Sequence, residues 1–345
     1  MKNHLLIVLL FSTGLLFSQT KSRSALFLGN SYTYSNNMPQ MVQLIALSVG
    51  DSLEYDVNAP GGFTMGGHFS NTVSLQKLSL GNWDYVVLQD QSQFPAVMNY
   101  NYQTPHLVDS LCKALNPCAT VLFYMTWGRK NGMFSTSTWP YTATYLGMDS
   151  VLQSRYRIMA QMNNSEVSPA GAVWRYIREN YPDIELYQAD ESHPSFEGSY
   201  AVAMCFYTSI FRKDPRPVTK NYMIPDSTAA KIKQAVKLVV YDSLAKWGIG
   251  EYDYLKNDSC DNKTSLIESN KQLIQIFPNP VLDILKLEFE DDAHQGLEIY
   301  NMLGLKVREY EASDQKEYDL SDLKRGQYLI RLKAESDRAF RFIKE

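Results

Sequence analysis

The sequence is short of the residues that build metal and disulfide sites, with 4 cysteines and 5 histidines among its 345 residues. It has no Cys-x-x-Cys pair and no compact cluster of histidines and cysteines, so we predict no metal and no cofactor. Cys112 and Cys118 are close enough in sequence to close a small loop, and this spacing fits either a disulfide or two free thiols. Cys205 lies in an apolar helical pattern, which favours a core position.

An excess of charge of one sign is also lacking, since the net charge is −4 and 45% of the residues are hydrophobic. This balance excludes wholesale disorder and argues against a nucleic-acid-binding surface.

The chain also has few long apolar runs. The run from Leu5 to Phe17 follows Lys2 and is too short for a membrane span, so we predict a signal peptide over residues 1–19, with a buried N-terminal helix as the alternative. No later run has the ~18 apolar residues that a transmembrane helix needs, and the mature protein is expected to be secreted without one.

The composition changes after about residue 250. Residues 251–272 are polar and have neither a helical nor a strand period, which predicts a linker. Beyond it, short segments alternate apolar and polar residues and are separated by turn residues such as Asn279 and Gly326. We therefore predict a small all-β sandwich over residues 273–345.

Several spaced motifs of this last region, FPNPVLDILKLEF, IYNMLGLKV, DLSDLKRGQYLIRL and the terminal RFIKE, resemble the C-terminal sorting domain of bacterial type IX secretion. The resemblance implies that the type IX machinery carries the chain across the outer membrane, with release or surface attachment as the outcome. A carbohydrate-binding or adhesive β-module is the alternative.

Residues 24–250 alternate short apolar strands with longer helical patterns, which predicts an α/β three-layer sandwich around a five-stranded parallel sheet. Five stretches are typical of buried strands: residues 24–29, 53–58, 84–89, 119–125 and 184–188. In such sheets, functional residues gather in the loops that follow the carboxyl ends of the strands.

Three side chains in these loops have the chemistry of a serine hydrolase. Ser31 follows the first strand, and Asp190 precedes His193 by three residues after the predicted fifth strand. A serine hydroxyl needs an adjacent imidazole to take its proton, and a carboxylate holds that imidazole in one tautomer. Taken singly, Ser31 fits a turn residue and the Asp190 segment fits a surface turn, but together they predict a catalytic triad.

Gly29-Asn30-Ser31 and Asp190-x-x-His193 resemble the first and last motifs of the SGNH/GDSL hydrolase superfamily, in the expected order and spacing. The resemblance implies an oxyanion hole built from the Ser31 and Gly62 backbone N–H groups and a side-chain amide. The family's Gly-x-Asn-Asp motif is replaced here by QDQSQ. We therefore assign the side-chain amide to Gln91, with Gln89 as the second choice. The alternative is that both glutamines only form ordinary hydrogen bonds within the loop.

Three further residues, Asn30, Trp127 and Arg129, are predicted to line the substrate-binding mouth, and packing beneath the loop is the alternative for Trp127. The function predicted from these residues and resemblances is a secreted serine esterase acting on carboxylic esters of small molecules or polysaccharides, with deacetylation of carbohydrates preferred. A noncatalytic glycan-binding protein on the same fold and an O-acyltransferase are the alternatives.

Overall fold

The computed structural model describes residues 20–97, 99–133, 137–255, 260, 274–278, 281–289, 296–301, 305–313, 315–333 and 339–344. The predicted signal peptide lies outside the described residues, as does most of the predicted linker. Within the described ranges, no helix combines the length and the apolar character that crossing a bilayer requires.

A five-stranded parallel sheet forms the centre of the N-terminal region. Its strands, in the spatial order β2-β1-β3-β4-β5, are β1 (Ser22–Leu28), β2 (Ser52–Asn58), β3 (Tyr85–Leu88), β4 (Thr120–Tyr124) and β5 (Glu166–Ser168). Every residue of β3, β4 and β5 is buried, because helices flank the sheet. The predicted α/β fold with a five-stranded parallel sheet is confirmed.

Nine α-helices accompany this sheet in the described residues. They are α1 (Ser31–Tyr34), α2 (Met38–Leu47), α3 (Met65–Ser70), α4 (Thr72–Leu78), α5 (Gln103–Leu115), α6 (Tyr145–Asn163), α7 (Ala170–Asn180), α8 (Phe196–Phe211) and α9 (Asp226–Val239). Helix α8 is apolar on all sides and packs against α2, α7 and α9, so it is buried from Gly198 to Phe211. Its N-terminus is fixed by Ser195, whose hydroxyl accepts the Gly198 N–H at 2.9 Å.

The prediction that residues 184–188 form the fifth strand of the sheet is wrong. Residues 166–168 form β5, whereas residues 184–188 lie outside the sheet. Only three residues long, β5 is too short to produce a recognisable apolar period. The segment at 184–188 is extended for another reason: Tyr187 forms an antiparallel bridge with Pro194, and Gln188 N–H donates to the His193 carbonyl at 2.8 Å.

The disulfide joins Cys118 to Cys260, and its Cα atoms are 5.4 Å apart. The possible Cys112–Cys118 bond is therefore wrong, and Cys112 is a buried free thiol. Cys112 lies in the last turn of α5, and its side chain is buried in the core. Cys118 follows the helix and bonds to Cys260. Cys205 is also a buried free cysteine, as predicted.

The C-terminal region forms two antiparallel sheets around a separate core. The strands are β6 (Ile274–Phe277), β7 (Ile284–Phe289), β8 (Leu297–Asn301), β9 (Lys306–Tyr310), β10 (Glu317–Asp319), β11 (Gly326–Leu332) and β12 (Ala339–Lys344). The sheet orders are β10-β7-β6 and β12-β11-β8-β9. Alternate residues such as Leu285, Leu287 and Ile330 are buried between them, so the predicted small β domain is confirmed.

Candidate functional site

The nucleophile candidate lies at the carboxyl end of β1. Gly29 and Asn30 follow the strand, and Ser31 is the first residue of α1. Asn30 begins the helix by accepting the Tyr32 N–H on its side-chain oxygen at 3.2 Å. A side chain at Gly29 would collide with Thr33 Oγ1 and come within 2.6 Å of Gln89 Oε1, so the chain needs glycine at this turn.

Ser31, His193 and Asp190 are brought together although they are far apart in sequence. His193 Nε2 is 2.8 Å from Ser31 Oγ, and His193 Nδ1 is hydrogen-bonded to Asp190 Oδ2. The other carboxylate oxygen of Asp190 accepts the N–H groups of Ser192 and His193 at 3.1 and 2.9 Å. This arrangement can orient the imidazole and prepare it to take a proton from Ser31.

The Asp190 carboxylate is held in its ionised form. Its partial burial opposes ionisation, but the bonds from the His193 ring and from the two backbone N–H groups lower the pKa of Asp190 overall. The site is also open, since the Asp190 and His193 side chains keep 47% and 35% of their accessible surface. Both side chains are therefore accessible from solvent.

Gly62 lies in an exposed turn that is linked to the nucleophile loop. Its φ of +68° favours glycine, and a Cβ there would meet no atom within 4 Å. The Asn30 side chain donates to the carbonyl of Phe63, the next residue, at 3.0 Å. The turn is thus anchored beside Ser31 while its surface stays open.

The structure does not leave Gln89 free to serve as an oxyanion donor. Gln89 is completely buried, and both hydrogens of its amide are used, in bonds to Asn30 Oδ1 at 2.7 Å and to the Asp90 carbonyl at 3.0 Å. Its oxygen accepts from Asn30 N and Thr33 Oγ1. The second choice for the oxyanion amide is therefore wrong, because Gln89 instead braces the loop that carries Ser31.

Gln91 is partly exposed, and its side-chain oxygen is the atom that forms hydrogen bonds within the turn. Gln91 Oε1 accepts the N–H groups of Gln93 and Phe94 at 2.8 and 3.1 Å, which shapes the turn after β3. An oxyanion role for Gln91 stays a prediction.

Two of the three predicted substrate-binding residues are buried. Asn30 is 1% exposed, and its amide donates to Phe63 O and Asp90 O. Trp127 is fully buried between the rings of Tyr32 and Trp174, at centroid distances of 4.7 and 3.7 Å. These contacts correct the predicted role of both residues, because neither side chain lines an accessible surface.

Trp127 supports the histidine loop, since its indole N–H donates to the Ser192 carbonyl at 3.2 Å. The third predicted residue, Arg129, is half-buried beside the turn after β3. The Gln93 amide, turned so that its oxygen faces the guanidinium, accepts from Arg129 Nε at 3.2 Å. Substrate binding by Arg129 stays a prediction.

Two supporting residues were missed from the sequence. Tyr32 shares a hydrogen bond of 2.6 Å with Ser192, and its ring meets the His193 ring edge-on at 5.4 Å. His68 is buried, with Nε2 2.9 Å from the Gly29 carbonyl and Nδ1 2.7 Å from Ser74 Oγ. Burial lowers the pKa of His68 to about 4, so its ring is neutral near pH 7. No local pattern in the sequence marks these long-range contacts.

Solved structures share the fold of the N-terminal region. A DUF4886 family protein from Bacteroides uniformis is 15% identical, with a TM-score of 0.56, and the match covers 66% of this chain and 99% of that chain. A candidate SGNH hydrolase from Slackia heliotrinireducens is 25% identical, with a TM-score of 0.45 and coverage of 55% and 99%. An acetyl xylan esterase is 15% identical, with a TM-score of 0.41 and coverage of 54% and 99%.

Residues 275–344 match the family model described as "Secretion system C-terminal sorting domain". A comparison with curated proteins finds no match. The sorting domain predicted from the sequence is confirmed in the C-terminal region, and proteins described as SGNH or GDSL-type hydrolases are among the structures that the N-terminal region resembles.

Proposed function

We propose that residues 24–250 form a serine esterase with Ser31 as nucleophile, His193 as base and Asp190 as the carboxylate that orients it. The observation that carries this proposal is the continuous chain of hydrogen bonds from Ser31 Oγ through both ring nitrogens of His193 to Asp190. Three polar residues joined in this order on the carboxyl edge of a parallel sheet match the requirements of nucleophilic acyl transfer.

The reaction proceeds in two halves. His193 Nε2 takes the Ser31 hydroxyl proton while Ser31 Oγ forms a bond to the ester carbonyl carbon. The tetrahedral intermediate then expels the alcohol, which receives the proton back from His193, and the acyl group stays on Ser31. Water attacks the acyl-enzyme in the same way, so a carboxylic acid leaves and Ser31 regains its proton.

The negative oxygen of each intermediate needs donors already in place. We assign the Ser31 and Gly62 N–H groups and the Gln91 side-chain amide to this role. The open surface of Gly62 supports the assignment, because no side chain blocks the approach of an ester there. Each donor is expected to contribute about a hundredfold or more to the rate.

The substrate we favour is an acylated polysaccharide, with removal of small acyl groups such as acetyl. The exposure of the triad supports a substrate larger than the site itself. Export supports it as well, since the sorting domain indicates handling by the type IX secretion machinery and localisation at or beyond the outer membrane. We also propose that residues 1–19 are a signal peptide, that residues 251–272 are a linker, and that residues 273–345 make up the whole sorting domain.

The experiment compares the purified wild-type protein with Ser31→Ala on 4-nitrophenyl acetate and on acetylated xylan. We expect Ser31→Ala to lower kcat by about 10³-fold or more. Ser22→Ala is the matched control, because Ser22 is exposed at the opposite end of the same strand and should leave the rate unchanged. Equal rates for wild type and Ser31→Ala would reject the esterase.

Product analysis separates the alternatives. Acyl transfer to an added acceptor sugar, in place of release of free acid, would identify an O-acyltransferase that uses the same three residues. Binding of the glycan without any turnover would identify a noncatalytic binding protein.

A further inference from the structure

A buried carboxylate is hydrogen-bonded to the turns that carry two of the proposed oxyanion donors. Asp90 follows β3 by two residues, and 2% of its surface is exposed. Buried carboxylates are costly unless a cation or several hydrogen bonds compensate them. Three described groups donate hydrogen bonds to the Asp90 carboxylate: the N–H groups of Met65 and Gln91 and the hydroxyl of Tyr100. The buried Tyr156 also interacts with it electrostatically.

One oxygen of this carboxylate joins the two turns that carry the proposed oxyanion donors. Asp90 Oδ1 accepts the Met65 N–H at 2.9 Å and the Gln91 N–H at 2.8 Å. Met65 is the first residue of α3 and ends the turn that contains Gly62. Gln91 opens the turn after β3, so a single atom sets the spacing between the two turns.

The backbone of the same residue reaches the nucleophile loop. The Asp90 carbonyl accepts from Asn30 Nδ2 at 3.2 Å and from Gln89 Nε2 at 3.0 Å. Asn30 in turn precedes Ser31 and contacts the Gly62 turn through the Phe63 carbonyl. Residue 90 therefore contacts all three segments of the proposed oxyanion hole, as Asn30 also does.

The second carboxylate oxygen serves a different purpose. Asp90 Oδ2 accepts the Tyr100 hydroxyl at 2.5 Å, and Tyr100 belongs to neither oxyanion turn. Burial raises the pKa of Asp90, and the hydrogen bonds from Tyr100, Met65 and Gln91 oppose this rise.

We propose that Asp90 is a positioning residue, which holds the Gly62 turn and the Gln91 turn at the separation that the transition-state oxyanion requires. The inference rests on the proposed esterase function. What it requires of residue 90 is an acceptor oxygen at the Oδ1 position. Asn can supply that oxygen while its amide group donates to Tyr100, whereas Leu has a similar size and supplies none.

The test measures kcat and KM for 4-nitrophenyl acetate with the full chain and three variants. We expect Asp90→Asn to keep kcat within about threefold of wild type. We expect Asp90→Leu to lower kcat by about tenfold or more with KM within about twofold, because both turns lose their shared anchor. Tyr100→Phe is the matched control, since it removes the bond to Oδ2 and leaves both bonds to Oδ1, and its kcat should stay within about threefold.

Inhibition by phenylboronic acid is a second measurement, because the Ki of the folded protein does not change through loss of stability alone. Its adduct with a serine hydroxyl is tetrahedral and negatively charged, so its affinity depends on the oxyanion donors. We expect its Ki to rise in Asp90→Leu by about the same factor as kcat/KM falls, and to stay near the wild-type value in Asp90→Asn. If Asp90→Leu does not fold, Asp90→Ser replaces it. The serine side chain is too short to accept the N–H groups of Met65 and Gln91 at the same time.

The proposal is overturned if a folded Asp90→Leu keeps wild-type kcat and boronate affinity, or if Asp90→Asn loses as much activity as Asp90→Leu. Ser31→Ala separates this failure from failure of the esterase itself. If Ser31→Ala abolishes hydrolysis while the Asp90 variants keep the wild-type kcat, only the proposed positioning role of Asp90 is rejected. If wild type and Ser31→Ala are equally inactive, both proposals fall.

Discussion

At the scale of single residues, the contact between His193 and Asp190 decides how the imidazole of the proposed base is oriented. The Asp190 carboxylate is about half exposed, so water screens its charge more than it would in a closed triad. We expect Asp190→Asn to lower kcat/KM by about 10²-fold or more, because the amide no longer fixes the imidazole tautomer. The measurement is the hydrolysis rate of 4-nitrophenyl acetate, and a loss of less than about threefold would contradict the role of Asp190.

His68 makes the folded protein sensitive to acid. The pKa of His68 is lowered to about 4 in the folded state, while an unfolded histidine has a pKa of about 6.5. The unfolded chain therefore binds more protons between these values, and stability falls as the pH falls through this window. The expected loss is about 3 kcal/mol by pH 4, and it is absent above pH 7.

Urea unfolding at pH 7 and pH 4.5 checks this linkage by comparing wild type with His68→Gln. Gln can still donate to the Gly29 carbonyl, but it does not titrate. The free energy of unfolding of the variant should fall by about 2 kcal/mol less between the two pH values than that of wild type. An identical pH dependence for both proteins would refute the assignment.

At the scale of elements, the stack of Tyr32, Trp127 and Trp174 connects α1, the loop after β4 and α7 beneath the histidine turn. We expect Trp127→Phe to lower kcat several-fold with little change in KM, since the ring remains but the bond to the Ser192 carbonyl is lost. A residue that binds substrate would raise KM instead. Steady-state kinetics on acetylated xylan distinguish the two results, and thermal unfolding reports whether the stack still forms.

Several elements follow directly from local sequence. The apolar runs of β1, β3 and β4 and the helical periods of α5 and α7 are strong, and the continuous apolar run of α8 indicates a buried helix. Elements without such signals were missed. The strand β5 has three residues, and the short helices α3 and α4 begin at Thr64 and Asn71 caps in a stretch with little apolar period.

At the scale of the whole molecule, the Cys118–Cys260 bond closes a long loop, because 142 positions separate the two cysteines. A loop of this length loses much conformational entropy in the unfolded chain when it is closed. We expect Cys118→Ser to lower the free energy of unfolding by about 2–5 kcal/mol. Cys260→Ser should have a similar effect, and the double variant should add little, since one bond is lost in each case.

Peptide mass spectrometry without reduction identifies the pairing. The peptides that contain residues 118 and 260 should remain linked, and the peptide that contains Cys112 should carry a free thiol. A linked pair of Cys112 and Cys118 would contradict the structure.

The sequence by itself determined the fold class and the C-terminal sorting domain, because both depend on local periods or short motifs. Only the tertiary structure decided that Ser31 and His193 touch, that Trp127 and Gln89 are buried supports, that Cys118 pairs with Cys260, and that Asp90 joins two turns. These facts depend on contacts between residues far apart in the chain. Such contacts form only when helices and strands pack, and no local pattern of residues records which side chains will then meet.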